Sequence, residues 1–428
     1  MIKLWLVLGI LACALGISAA SWQPQHALGP FLVLSTAMLA GSAIPAWRGW
    51  ALSPRLVFGS ALALHAIALC GIPLFEDDFY RYLWDGYRTA TSGTPYGPPP
   101  EAFFTDPRVP IFMRRVLDGI NYPETPTIYG PVLQMLFWLS HGLGPGQERV
   151  LRALLCLGNL GLILLLLRRL PADRVALYAW SPLAFKEIAL SGHPDGLLAL
   201  ALLLGLILGA RRASVLFGAC LGLAAGIKLS ALAAWPALLR LRPDLRGAAI
   251  GGLAAACALV LAYLPFVILG GHHASDLAGL AAFAAKWQFN AGPYAWAAGA
   301  IGAVPAKLLL GALAVAAIAI VHIRAKAASP LYPYHAVFGC VLLVSPVINP
   351  WYLLWGLPFA CGARQIWPWV ASGALLLSYC SGQQLPGSGL ALFAIHPAAQ
   401  ALEWAAILAA LAFDGRHMIL PKPNQGMR

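Results

Sequence analysis

Residues 56–88 read LVFGSALALHAIALCGIPLFEDDFYRYLWDGYR, and the change of character at Phe75 decides what kind of chain this is. The run from Leu56 to Phe75 is apolar and long enough to cross a bilayer, which takes roughly 20 helical residues. Directly after it stands Glu76-Asp77-Asp78-Phe79-Tyr80-Arg81-Tyr82-Leu83-Trp84-Asp85-Gly86-Tyr87-Arg88. This stretch carries four carboxylates and two guanidiniums in a chain that is only 10% charged. Acids gathered at a membrane edge are energetically costly, and so are a functional hypothesis by default.

The same apolar signal recurs along the chain. Its 428 residues are 60% hydrophobic, with a mean hydropathy of +0.75. A water-soluble chain of this size needs far more polar surface. The sequence therefore predicts an all-α polytopic membrane protein, a single integral membrane domain over 1–428. The net charge of +12 is explained by basic cytoplasmic loops, with no nucleic-acid partner implied. The eight cysteines sit singly in or beside apolar runs, which suggests buried hydrophobes with no disulfide framework or zinc site.

In chain order, spans are expected near Met1–Ala20, Ala27–Ala46 and Leu56–Leu74. The first resembles a signal peptide, but further spans come at once and favour an uncleaved helix. Residues 75–149 hold no clean span and form a large extracytoplasmic loop. The prolines of Tyr96–Glu101 enforce extended or turning backbone there. Ile128–Leu143 is placed as a helix on or dipping into the membrane. Tight hairpins come next, near Val150–Leu167, Val175–Leu190, Gly196–Leu208, Ser214–Gly226, Leu229–Leu239 and Ala248–Gly270. Five more spans fall near Val304–Ile323, Pro333–Val347, Trp351–Gly362, Ile366–Gln384 and Leu392–Phe413. The expectation is about 14 transmembrane helices, in a range of 11–14, with both ends cytoplasmic.

Charge segregation supports this layout. Arg168, Arg169, Arg174, Arg211, Arg212, Arg240, Arg242, Arg246, Arg324, Lys326, Arg364, Arg416, Lys422 and Arg428 fall in loops of one side, with Lys3, Arg48 and Arg55. Only Asp173, Asp244 and Asp414 join them, and Glu403 lies within the last span. The other acids fall on the opposite side or at its edge, as the positive-inside rule requires of the outer face. Further polar groups collect there: Lys186 and Glu187, His193 and Asp195 in one turn, Lys228, and Asn349-Pro350-Trp351-Tyr352. His272, His273, Lys286, Gln288 and Asn290 fall in the loop after Gly270.

At these residues the chain resembles the GT-C superfamily of polyprenyl-phosphate-sugar-dependent glycosyltransferases, in its bacterial mannosyltransferase-like branch. The likeness rests on Glu76–Gly86 and on Ile120-Asn121-Tyr122-Pro123-Glu124-Thr125-Pro126-Thr127-Ile128-Tyr129-Gly130-Pro131. Gly192-His193-Pro194-Asp195-Gly196, Gly226-Ile227-Lys228-Leu229 and Ser345–Trp355 complete it, so that it runs from about residue 56 to 360. Pro194 replaces an expected smaller polar residue, and two spans precede the acidic loop where the simplest members have one. The resemblance implies an inverting hexosyl transfer, most readily of mannose, from a polyprenyl-phosphate donor to a glycan or glycolipid. The reaction would occur at the extracytoplasmic face of the bacterial inner membrane. Membrane lipids are the remaining partners.

Residue chemistry suits that reaction. Deprotonating a sugar hydroxyl needs a carboxylate in hydrogen-bond reach. Glu76, Asp77 and Asp78 supply three, whose mutual repulsion raises at least one pKa. Asp77 and Asp78 are the candidates for base and partner. Lys228 is the candidate for the phosphate charge, helped by His193 or a loop arginine. Tyr80, Arg81, Tyr129, Asp195, Asn349, Trp351 and Tyr352 complete the expected substrate-binding set with Glu76. Asp77 or Asp78 paired with Asp195 is chemically able to hold a divalent cation, although no cofactor is required. Plainer roles compete with these. Asp77 or Asp78 is placed to cap the helix it precedes, Arg81 and Asp85 have intrahelical pair spacing, and His193 and Asp195 are placed to cap a turn. Trp351, Tyr352 and Trp355 suit interface anchors as well as sugar platforms, and His272-His273 lacks further metal ligands. A transporter or flippase of a lipid-linked sugar is the alternative of a different class. It would carry similar groups but usually shows internal repeats, and none is visible.

Overall fold

The computed structural model describes residues 1–209, 214–241, 244–271, 275–325 and 331–419. Within them regular structure is helical, with only two isolated bridges. Helices α1 (Ile2–Ser21) and α2 (Leu28–Arg48) form a hairpin against α3 (Pro54–Cys70). Ser53 caps α3 by accepting from the Leu56 amide, with Pro54 preset for the first turn. The expected span to Leu74 thus ends four residues early, at Cys70. The chain then runs without regular structure into the acids, turning at Phe75, whose φ is +62°.

The segment 75–149 folds as α4 (Asp78–Ser92), α5 (Ile111–Asp118) and α6 (Pro131–Leu143). It has a small core of its own, in which Leu83 and Trp84 of α4 meet Val109, Met113, Val116, Leu117 and Ile120. Each such side chain contributes roughly 1.5–3 kcal/mol on full burial. Gly86 lets α4 and α6 touch, since a Cβ there would lie 2.3 Å from the Phe137 carbonyl oxygen.

After α7 (Glu148–Leu167) come α8 (Ala172–Ala179) and the short α9 (Pro182–Ala184), which continues as a π-helical turn, Phe185–Leu190. The expected span Val175–Leu190 is therefore broken at Trp180-Ser181. Helices α10 (Gly196–Gly209), α11 (Ser214–Ile227), α12 (Ala237–Leu241) and α13 (Leu245–Gly270) come next, then α14 (Leu277–Lys286), α15 (Gly292–Ile301) and α16 (Ala303–Arg324). The chain ends with α17 (Tyr334–Val344), α18 (Trp367–Ala374) and α19 (Pro397–Ile419). Leu229–Ala234, Pro350–Trp355, Leu357–Gly362 and Leu375–Tyr379 are 3₁₀ turns. The expected helix Trp351–Gly362 is thus two tight pieces, each opened by a proline, at Pro350 and Pro358, which removes an amide donor.

Among the described residues five helices, α1, α2, α7, α13 and α16, are long and apolar enough to cross a membrane by length and composition. Leu253, Val260, Ile268, Val304, Leu308 and Val315 of α13 and α16 all point outward. An exposed apolar face of that size fits lipid far better than water. About fourteen crossings would enlist the shorter helices too, and that number stays a proposal, as does the sidedness of the 75–149 segment. Arg211, Arg212, Arg242, His272, His273, Lys326, Lys422 and Arg428 lie outside the described residues.

Candidate active site

A cavity of about 250 Å³ opens where the acidic stretch meets α6, α11, α14 and the Pro350–Trp355 turn. Glu76, Asp77, Asp78, Arg81, Tyr129, Asp195, Lys228, Asn349, Trp351 and Tyr352 all line it. Segments far apart in sequence thus deliver ten of the twelve predicted site residues to one space. Tyr80 and His193 are the exceptions. On α4, positions 77, 78, 81, 82 and 85 share a face at helical spacing. Tyr80 points elsewhere and packs on Phe79, with its ring against Gly119. It is not among the residues that line the cavity. His193 lies fully buried behind the wall, stacked flat on Trp351 at 3.8 Å between ring centres.

The three leading acids have different surroundings. Asp77 occupies the N-cap position of α4, yet its side chain makes no capping bond. Instead its Oδ1 accepts from Asn121 Nδ2 at 2.5 Å, so helix capping does not account for it. Burial and the neighbouring Asp78 charge push Asp77 up to about 6, against the lowering effect of the Asn121 bond. Asp78 accepts from the Tyr82 hydroxyl at 3.4 Å and lies 3.8 Å from His193 Nε2. Burial carries Glu76 well above the usual carboxylate range, although Lys186 opposes the shift.

Behind them lies a charge network whose members the sequence places nearby without giving them a role. Lys186 Nζ donates to Glu187 Oε2 at 3.2 Å and to the Tyr379 hydroxyl. Tyr379 donates to Glu187 Oε1 at 2.9 Å, and Glu187 Oε2 lies 3.0 Å from His193 Nδ1. Lys186, Glu187 and His193 are all fully buried. The π-helical turn that carries Lys186 and Glu187 is an uncommon geometry often found at functional sites. Nothing in the sequence pairs this turn with Tyr379, nearly two hundred positions away. The buried Arg152 holds both adjoining segments, donating to Ala68, to Gly71 at 3.0 Å and to Ala189 at 3.1 Å.

Across the cavity, Lys228 Nζ donates to Asp195 Oδ1 at 3.0 Å and lies 3.8 Å above the Tyr352 ring. Trp355 Nε1 donates to the same oxygen at 2.6 Å. Lys228 is therefore paired before any substrate arrives, and its side chain keeps 31% exposure toward the cavity. Asn349 bonds the Tyr352 phenol. Trp351 and Tyr352 are each 7% exposed, which corrects the interface-anchor reading. The Arg81–Asp85 pair forms as its spacing predicts, 3.2 Å apart, and lies in the interior. Arg81 also donates to the Thr125 carbonyl at 2.7 Å, and Asp85 Oδ2 accepts from Thr127 and from Gln134. Tyr129 is fixed through its carbonyl, which accepts from the Tyr96 hydroxyl at 3.2 Å.

Among the described residues no three His, Cys, Asp or Glu side chains are grouped as metal ligands would be. The arrangement offers a tunable carboxylate, a second acid beside it and a partly shielded cation. Comparison with curated proteins and with solved structures returned no match. A family model does match, described as "Alpha-(1->6)-mannopyranosyltransferase, N-terminal domain", over residues 15–243, more than half of the chain.

Proposed function

The chain belongs to the alpha-(1->6)-mannopyranosyltransferase family, and from that premise we propose that it is an inverting glycosyltransferase using a polyprenyl-phosphate mannose donor. The acceptor is a glycan or glycolipid, and transfer takes place on the extracytoplasmic face of a bacterial inner membrane. The observation that carries this reading is the Asn121-held Asp77, raised to about 6, in one cavity with Lys228. A base works best with a pKa near the working pH.

In the proposed step, Asp77 takes the proton of an acceptor hydroxyl, the primary one if the family's (1->6) linkage holds here. The hydroxyl oxygen forms a bond to the anomeric carbon as the bond from that carbon to the phosphate oxygen breaks. Polyprenyl phosphate leaves, and inversion at a β-linked donor gives the α-linkage. Asp78 supports Asp77, and Lys228 faces the charge that develops on the phosphate. Its pairing with Asp195 stabilises the ammonium in the absence of donor.

The test is donor choice by the purified protein. Mannose is expected to move from polyprenyl-phosphate mannose, and not from GDP-mannose, to a mannoside acceptor. Transfer from the nucleotide sugar alone, or movement of the lipid across vesicles without transfer, overturns the reading. Loss of donor affinity in Lys228→Ala is expected; unchanged affinity and turnover remove Lys228 from the site.

A further inference from the structure

The cavity has a second wall, chemically distinct from the acids and from Lys228. Tyr122 stands at its mouth with a backbone φ of +49°, a conformation that costs a non-glycine residue energy and that concentrates at functional sites. This places Asn121 against Asp77 and turns the Tyr122 ring outward. There it meets Trp287 at 4.9 Å and Phe393 at 5.9 Å between ring centres. Tyr122 and Phe393 are each 39% exposed. Gln288 and Gln383, both exposed, line the same cavity, and the Gln288 amide also donates to the Tyr294 hydroxyl at 3.5 Å.

The wall is held rigidly to the site. Phe289 pairs with the segment before Asn349, its amide donating to Pro346 at 3.0 Å and its carbonyl accepting from Ile348 at 2.9 Å. Gln383 is tied to the Phe393 loop by its backbone amide, which donates to the Leu392 carbonyl at 2.7 Å. The acids divide between the two walls. Asp77 is held by Asn121 and acts on the Tyr122 phenol more strongly than Asp78 does, whereas Asp78 lies beside Tyr82 and His193 and feels Lys228.

We propose that Tyr122, Trp287 and Phe393, with the amides of Gln288 and Gln383, form the acceptor-sugar subsite, which binds a mannoside. The proposal rests on the transferase reading and deepens it. One face of a pyranose presents C–H groups that settle on an aromatic ring, while its rim of hydroxyls needs groups able both to donate and to accept. Carboxamides do both, and tyrosine and tryptophan combine apolar area with a polar handle. The wall adjoins Asp77 through Asn121, the neighbour of Tyr122 in the chain, which agrees with Asp77 as base. An isoprenoid chain has no use for the amides.

The experiment is steady-state kinetics on the full chain, with acceptor and donor titrated separately. Trp287→Ala and Tyr122→Ala are expected to raise the acceptor KM about tenfold or more and to leave the donor KM within about twofold. Trp287→Phe, which keeps a ring, is expected to recover most of the loss and serves as the folding control. An unchanged acceptor KM overturns the proposal. So does a rise confined to the donor KM, which gives the aromatics to the lipid. Saturation-transfer NMR of methyl α-mannopyranoside on the full chain reads the subsite without turnover. A transfer signal that disappears in Trp287→Ala supports the subsite even if the donor reading fails; a signal equal to that of the unaltered chain overturns it.

Discussion

Asp77 and Asn121 stand 44 positions apart in sequence and 2.5 Å apart in space, and their bond sets how the site responds to pH. Asp77 has to be ionised to accept a proton, and burial with the Asp78 charge holds it at about 6. kcat/KM is therefore expected to fall tenfold per pH unit below about 6 and to level off above it. Asn121 favours the charged form, so removing it raises the Asp77 pKa further. In Asn121→Ala the acid limb should move to higher pH, and rate profiles from about pH 5 to about pH 9 read this directly. A limb at the same pH in both proteins separates Asn121 from the base. The acids themselves were legible in the sequence, because charge is rare in so apolar a chain. Asn121 was legible only as part of a motif, since an amide in a loop carries no sign of which carboxylate it will meet. Lys186 and Glu187 were legible as polar groups near the site, but their partners were hidden for the same reason, and Tyr379 was not singled out at all.

Helix α4 shows how an element turns sequence spacing into a site. Its 77, 78, 81, 82 and 85 face meets the cavity and α6, and its Leu83–Trp84 side closes the small core with α5. Asp85 anchors this arrangement by holding Arg81, Thr127 and Gln134 together in the interior. Removing one partner of a buried pair leaves the other charge unpaired, at a cost of about 3–5 kcal/mol. Asp85→Ala is expected to lower the melting temperature sharply in detergent. Arg81→Met with Asp85→Leu together should cost less than the two single losses combined. Equal, additive losses would show the pair to be uncoupled. The spacing of Arg81 and Asp85 predicted the pair, but burial came from elements that spacing does not reveal. Likewise the hydropathy of Trp351–Gly362 resembled a helix. Two prolines with Gly356 between them made it two tight turns, which bring Trp351, Tyr352 and Trp355 around His193 and Lys228.

At the scale of the whole molecule, apolar runs foretold an all-helical membrane protein, and the outward-facing side chains of α13 and α16 agree. Hydropathy alone does not say how short helices divide a bilayer, which is why the count of crossings was less legible than the class. Orientation is open to direct measurement. A single cysteine at the exposed Ser92, in a chain whose eight native cysteines are replaced, should react with an impermeant maleimide from outside the cell. Labelling only after lysis would put α4 and the acids on the cytoplasmic side. Asp77 stands at the centre of the proposed chemistry, as the group that takes the proton during mannosyl transfer from a lipid phosphate. That role is tested most directly by comparing Asp77→Asn with the unaltered protein, using radiolabelled polyprenyl-phosphate mannose and a mannoside acceptor. The prediction is a loss of turnover of roughly 10²–10⁴-fold, with donor affinity and melting temperature retained; turnover within a few-fold of the unaltered protein would contradict it.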